Sequence, residues 1–397
     1  MSERDPGALQ PILAGAVASL VGFASTFALV LAGLRAVGAD EEQAASGLVA
    51  LCLVMGVVAI ALGVRYRMPL AIAWSTPGAA LLISSGEPPG GYAAALGAFA
   101  FAGALIVVAG LWRALGRWVA MIPPALASAM LAGVLLPVCL APARAVVELP
   151  WEVAPVIVTW ALLMRFARRW AVPAALVVAA IVIALDPLEA PGATRLAPAL
   201  AFTAPAFDAG ALIGLGLPLF IVTMASQNIT GVGVLASFGY RTPLRASLVS
   251  TGAASAAGAP FGAHGINLAA ITAALAAGPD AHPDPARRWI ASVSGGVVYL
   301  VLALTAGAAT TLVTVAPPLL IEAVAGLALF GALGAALAAA AADAGRREAA
   351  VVTFVVSASS ITVAGISAPF WGLAAGLAYL GLQRTGIATR EPARQPA

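Results

Sequence analysis

"IAWSTPGAALL", residues 72 to 82, is the stretch on which the reading of the whole chain turns. It lies in an apolar run long enough to help cross a membrane, yet Trp74, Ser75, Thr76, Pro77 and Gly78 occupy its middle. Proline has no N–H and a fixed φ, so it suits the first turn of a helix that begins there, with Ser75 or Thr76 as the cap. The spacing therefore predicts a half-helix from about Pro77 to Ser84. Non-helical backbone at membrane depth is tolerated where protein or water, rather than lipid, surrounds it. The competing reading is a proline kink in an ordinary packed helix.

The surrounding composition is that of a membrane protein. Of 397 residues, 62% are hydrophobic and 9% charged, and the mean hydropathy is +1.01. Soluble domains carry about a quarter charged residues. The chain reads as an all-α polytopic membrane protein with fourteen apolar segments, near 11–34, 44–64, 69–86, 91–111, 119–140, 150–166, 171–186, 209–236, 244–260, 262–278, 289–309, 312–340, 349–366 and 369–385. With the N-terminus inside, all of the twenty basic residues except Arg35, Arg144 and Arg195 fall on the inner side, which places both termini in the cytoplasm. The opening "MSERDPGALQP" is short and mixed in charge, with no small-residue cleavage site after the first apolar run, so that run reads as a retained span.

The same composition excludes other classes. Every basic residue is arginine and the net charge is only +3, which gives no sign of a nucleic-acid partner. Cys52 and Cys139 both fall in spans, where packing is a better account than a disulfide or a metal site. No HExxH, GxSxG or aspartate-rich pair is present, so neither an enzyme, a metal nor a cofactor is expected.

Weak internal symmetry organises the segments. "AWSTPGAALL" at 73 aligns with "AHGINLAAIT" at 263, "IPPALASAMLAGVLL" at 122 with "APPLLIEAVAGLALF" at 316, and "AVPAALVVAAIVIAL" at 171 with "SAPFWGLAAGLAYL" at 367. Seven spans per half is an odd number, so the second half enters from the opposite side. The expected organisation is an inverted 7+7 repeat, residues 1–200 and 201–397.

Spans 3 and 10 are the interrupted pair. Span 10 carries "FGAHGIN", with His264, Gly265 and Asn267, and a second half-helix is expected from about Asn267 to Ala277. Two half-helix N-termini meeting near the midplane present unpaired N–H groups and partial positive charge, an anion site without a buried Lys or Arg. A helix-linking turn is the plainer account of "GAHGIN". In span 8, "TMASQNITG" places Ser226, Gln227, Asn228 and Thr230 in an apolar run, where they either join helices or face the half-helices and orient a carboxylate. The corresponding "GFASTFAL" in span 1 sets Ser25 and Thr26 beside Phe23 and Phe27, a mixture suited to an aromatic ring with a polar head, or to plain packing.

Titratable groups at depth are few. His264 has a side chain suited to proton traffic, or is a neutral imidazole tied to backbone carbonyls. His282, in "GPDAHPDPARRW", reads as a solvated loop residue or a salt-bridge partner. Glu322 in "PPLLIEAVAG" is a second proton-carrier candidate, or simply reaches toward water near a helix start.

At "IAWSTPGAALL", "TMASQNITGVGVL", "APFGAHGINLAAITAAL" and "HPDPARRW" the sequence resembles the bacterial benzoate/proton symporter family, over nearly all of its length. The resemblance implies a secondary transporter of the bacterial inner membrane that takes up benzoate or a related aromatic carboxylate with protons. Another organic anion or a nucleobase is the alternative cargo. It also implies kinship with the fourteen-span fold of nucleobase and sulfate-type carriers, which commonly form homodimers. Their core domain would correspond here to 11–111 plus 209–309 and their gate domain to 119–186 plus 312–385. Carried over by position, the substrate site would comprise Ser75, Thr76 and Gly78, Gln227 and Asn228, and His264, Gly265 and Asn267. The nucleobase carriers typically place acids on spans 8 and 10. Here Gln227, Asn228 and Asn267 stand in that neighbourhood, which suits an anionic substrate.

Overall fold

A computed structural model describes residues 7–112, 122–185, 199–269, 271–279, 281–307, 317–363 and 366–388. The described chain is mostly helical. Among the described residues, six helices are long and apolar enough to cross a membrane: Leu9–Ala36, Glu41–Tyr66, Gly91–Leu111, Pro124–Glu148, Ala209–Ala236 and Pro318–Ala341. The first of these carries Phe23, Phe27 and a run of fully buried residues from Leu29 to Leu31. Glu41–Tyr66 starts on a reciprocal cap, in which Asp40 accepts from the Gln43 N–H at 2.8 Å and the Gln43 side chain accepts from the Asp40 N–H at 3.0 Å.

Water contributes little drive between helices in a bilayer, so close backbone approach has to hold them. Two helix pairs use glycine in the same reciprocal way. A Cβ on Gly56 would lie 2.7 Å from the Gly296 carbonyl, and one on Gly296 would lie 2.9 Å from the Gly56 carbonyl. Gly103 and Gly252 repeat this at 2.8 and 2.7 Å. The first pair joins Glu41–Tyr66 to Trp289–Ala303, the second Gly91–Leu111 to Leu244–Gly258. A second group of helices, Pro124–Cys139, Pro318–Ala341, Arg347–Ala358 and Ala368–Ala388, packs mainly on itself.

Span 3 is broken where the proline predicts. Ile72–Trp74 is an extended strand, β1, and the helix Thr76–Ser85 follows at once. Span 10 differs from expectation. Asn267 does not begin a helix: Ile266–Leu268 is also extended, as β2, and the helix is the seven-residue Ile271–Ala277. The reason is pairing. β1 and β2 form an antiparallel ladder, Ile72 opposite Leu268, Ala73 opposite Asn267 and Trp74 opposite Ile266. Hydrogen bonds from Ser75 N–H to the Gly265 carbonyl (3.0 Å) and from Ala269 N–H to the Ala71 carbonyl (2.9 Å) extend it at both ends. Each break satisfies the other's backbone, as an interior without water requires.

Candidate functional site

The ladder sets where the half-helices begin. Because its strands run antiparallel, Thr76–Ser85 leaves from one end and Ile271–Ala277 from the other, so each helix starts at the crossing and runs outward. At about 3.3 Å per residue, the three-residue strands themselves span on the order of 10 Å.

Ser75 caps the first half-helix. Its Oγ accepts from the Gly78 N–H at 3.1 Å and shares a hydrogen bond with Thr223 Oγ1 at 2.8 Å, tying span 3 to span 8. Pro77 has no N–H, and the Ala79 N–H is bonded to the Ser75 carbonyl at 2.8 Å. In this turn that leaves the Thr76 N–H as the donor without a partner among the described residues. Gly78 has no space for a side chain, since a Cβ would lie 2.6 Å from Leu219 Cδ1 and 2.7 Å from Ser75 Oγ.

β2 needs outside help. The N–H groups of Ile266 and Leu268 point away from the ladder, and each finds a side-chain acceptor on a different helix: Ser255 Oγ at 2.9 Å and Asn228 Oδ1 at 3.0 Å. Asn228 also donates to Met224 Sδ at 3.5 Å. It sits at the end of a π-helical turn, Met224–Asn228, the second such turn in this helix after Leu212–Gly216. The wider turns shift the helix phase and commonly mark functional sites. With the Asn267 amide oxygen facing its available donor, it accepts from the Ser75 N–H at 3.1 Å, and the nitrogen donates to the Leu268 carbonyl at 3.0 Å.

His264 spans both breaks. Its Nε2 lies 3.0 Å from the Ser75 carbonyl, an acceptor only, so Nε2 carries the proton and donates. Nδ1 is buried and has no hydrogen-bond partner among the described residues. The ring meets Phe99 edge to face at 6.3 Å.

Exposure divides the candidates. Ser75, Asn228 and Asn267 are 0% exposed and His264 1%, and the hydrogen bonds above commit them to the crossing. Ser25, Thr26, Thr76 and Gln227 are half-buried. Ser25 Oγ donates to the Val21 carbonyl at 2.5 Å. Thr26 donates to the Gly22 carbonyl and accepts from Trp74 Nε1, both at 2.9 Å. The Thr76 hydroxyl and the Gln227 amide have no hydrogen-bond partner among the described residues. Phe23 and Phe27 are buried and stacked at 5.2 Å, with Trp74 tilted against Phe23 at 5.7 Å. Thr223, Ser255 and Phe99 escape the sequence reading, and Trp74 enters it only as part of the break, because single small polar and aromatic residues in apolar spans carry no pattern of their own.

Glu322 is exposed and stands apart from this cluster, on Pro318–Ala341. His282 is a correction: it is 2% exposed rather than solvated, and its Nδ1 accepts from the Asp284 N–H at 3.0 Å. The neighbouring Tyr240 phenol, whose OH donates to the Pro285 carbonyl at 3.0 Å, is pushed above its ordinary pKa mainly by burial, against the opposing charge of Arg288.

The Asn228 bond gives a direct prediction. Asn228→Ala leaves the Leu268 N–H buried without an acceptor, at a cost of about 1–3 kcal/mol. Thermal unfolding of the purified protein should show a lower Tm, with Asn228→Asp recovering part of it through its remaining carboxylate oxygen. A Tm equal to wild type in Asn228→Ala would remove the tie.

Comparison with known proteins gives a consistent result. The profile of the family described as benzoate membrane transport protein matches residues 6–382. "Inner membrane protein YdcO" of Escherichia coli (strain K12) is 37% identical over 369 residues, covering 92% of this chain and 93% of that protein. "Benzoate membrane transport protein" of Acinetobacter baylyi (strain ATCC 33305 / BD413 / ADP1) is 29% identical over 376 residues, covering 94% of each. Among solved structures, the transmembrane domain of the cyanobacterial bicarbonate transporter BicA shares the fold, with a TM-score of 0.60 at 17% identity over 94% of this chain and 98% of that one.

Proposed function

This chain belongs to the benzoate membrane transport protein family, which makes it a multi-pass membrane transport protein rather than an enzyme, and on that premise we propose that it takes up benzoate or a closely related aromatic carboxylate together with protons. It does so in a bacterial inner membrane, with both termini cytoplasmic, in keeping with the name of the Escherichia coli relative and the arginine asymmetry.

The observation that carries this reading is the crossing itself: two broken spans paired through β1 and β2, with a capped half-helix tied to span 8 through the Ser75–Thr223 hydrogen bond. The substrate carboxylate is received by the Thr76 N–H and hydroxyl and by the Gln227 amide, with the positive end of Thr76–Ser85 behind them. A buried arginine would bind the anion too firmly to release it and would cost several kcal/mol to hold at depth. The acids typical of the nucleobase carriers would repel a carboxylate. Gln227 and Asn228 do neither.

The fourteen crossings form an inverted 7+7 repeat, a reading supported by the glycine pairs. Gly56 with Gly296, and Gly252 with Gly103, exchange places under the separation seen between the repeated sequence stretches. The near-total burial of Ser75, Asn228, Asn267 and His264 makes them the frame of the crossing, while Thr76 and Gln227 stay partly accessible. The core domain, 11–111 plus 209–309, moves against the gate domain, 119–186 plus 312–385, to turn the site from one face of the membrane to the other.

Labelled benzoate and proteoliposomes under an imposed pH gradient, alkaline inside, test the function. Saturable accumulation above equilibrium, reduced by hydroxybenzoates and unaffected by nucleobases, is expected. Simple equilibration, or preference for a nucleobase or an aliphatic acid, would refute the benzoate assignment.

A further inference from the structure

The "HPDPARRWIASVS" stretch plays no part in receiving substrate, yet it holds a buried cation. Arg288 is 6% exposed, and its guanidinium is spent on carbonyls: Nε donates to His282 at 2.7 Å, Nη1 to Ala277 at 2.8 Å and Nη2 to Pro283 at 3.2 Å. Ala277 is the last residue of the second half-helix. A cation at the end of a helix answers its unpaired carbonyls and its partial negative charge. Charge-assisted bonds to three separate carbonyls are a task for a guanidinium fork, which an ammonium cannot reproduce.

One turn further on, Ser292 is 4% exposed and its Oγ donates to the Leu70 carbonyl at 2.5 Å, two residues before β1. The Arg67 guanidinium, in the connection leading to that strand, lies over the Trp289 ring at 4.4 Å. The start of Trp289–Ala303 thus reaches the last turn of span 10 and the entry to span 3 together. That helix is fixed in its turn by close approach to its neighbours, Ala291 against Gly15 and Gly296 against Gly56.

We infer that Arg288 and Ser292 are positioning residues, which clamp both broken spans to one helix and so set the geometry of the crossing where substrate binds. A seven-residue helix is too short to hold itself in place. Its start is held by the ladder and its last turn by Arg288. The inference rests on the substrate site proposed above.

The test uses full-length Arg288→Ala, Arg288→Lys and Ser292→Ala in proteoliposomes, with Thr353→Ala as a control. Thr353 is also fully buried and hydrogen-bonded, to the Ala349 carbonyl at 2.9 Å, but lies far from both breaks in Arg347–Ala358. Two readouts are taken: KM and maximal rate for benzoate uptake, and amide hydrogen exchange of substrate-free protein in peptides covering residues 70–80 and 264–278. Arg288→Ala should raise KM by about tenfold or more, as the loss of charged hydrogen bonds implies. Arg288→Lys should recover part of that, Ser292→Ala should raise KM severalfold, and exchange should quicken in those peptides alone. Thr353→Ala should lower thermal stability without moving KM. Wild-type KM and exchange in Arg288→Lys and Ser292→Ala would overturn the clamp even if Arg288→Ala fails to fold. Changes in Arg288→Ala that Thr353→Ala reproduces would do the same. If the wild-type protein carries no benzoate, the substrate reading fails and the exchange pattern still decides the clamp.

Discussion

His264→Ala is expected to abolish benzoate accumulation driven by a pH gradient. The imidazole is the titratable side chain built into the crossing, donating from Nε2 to the Ser75 carbonyl while Nδ1 remains without a partner among the described residues. A proton arriving at Nδ1 would create a cation beside the site at the moment a carboxylate needs a counter-charge, so that the pair moves as a neutral unit. Alanine removes both the proton site and the tie to Ser75, and His264→Gln separates the two. A glutamine amide can still donate to the Ser75 carbonyl but does not titrate, so this variant should keep benzoate exchange between preloaded vesicles and medium and lose gradient-driven accumulation. Glu322→Gln should leave accumulation within about twofold of wild type, as for an exposed side chain away from the site. Proton-coupled accumulation that survives in His264→Gln and fails in Glu322→Gln would transfer the role to the carboxylate.

Gly78→Val is expected to weaken benzoate binding and slow uptake. A Cβ at this position would lie 2.6 Å from Leu219 Cδ1 and 2.7 Å from Ser75 Oγ. Leu219 can turn aside, but Ser75 is held by its bond to Thr223 and is itself the cap. A β-branched side chain must push the cap away from the half-helix, at a cost of about 1 kcal/mol for the cap alone. It also obstructs the turn that offers the Thr76 N–H. Initial uptake rates should fall by at least about tenfold, the equivalent of 1.4 kcal/mol, with Gly78→Ala intermediate. A Gly78→Val protein with wild-type KM would show that the cap plays no part in recognition.

How much of this is legible in the sequence depends on how local the cause is. Pro77 announces the start of the first half-helix because its ring fixes the backbone by itself, and the helix begins at Thr76. Hydropathy alone finds the long helices, since a bilayer imposes a length on them. Asn267 resists the same treatment. Its extended conformation follows from pairing with Ala73, nearly two hundred residues away, and nothing in "GAHGINLAA" distinguishes a strand from a helix start. The roles of Ser75 and Asn228 change in a similar way: their residue types suggest contact with a ligand, and the fold spends them on Gly78, Thr223 and Leu268. His282 reads as solvated because its neighbours are polar, whereas Arg288 gathers the loop around its own charge and buries it.

Reception of a carboxylate at this crossing by neutral donors and a helix N-terminus can be seen in a structure of the purified protein determined with benzoate. The ligand is expected at the start of Thr76–Ser85, with a carboxylate oxygen within hydrogen-bond distance of Thr76 and of Gln227. Benzoate bound elsewhere, or its carboxylate paired with an arginine, would contradict it.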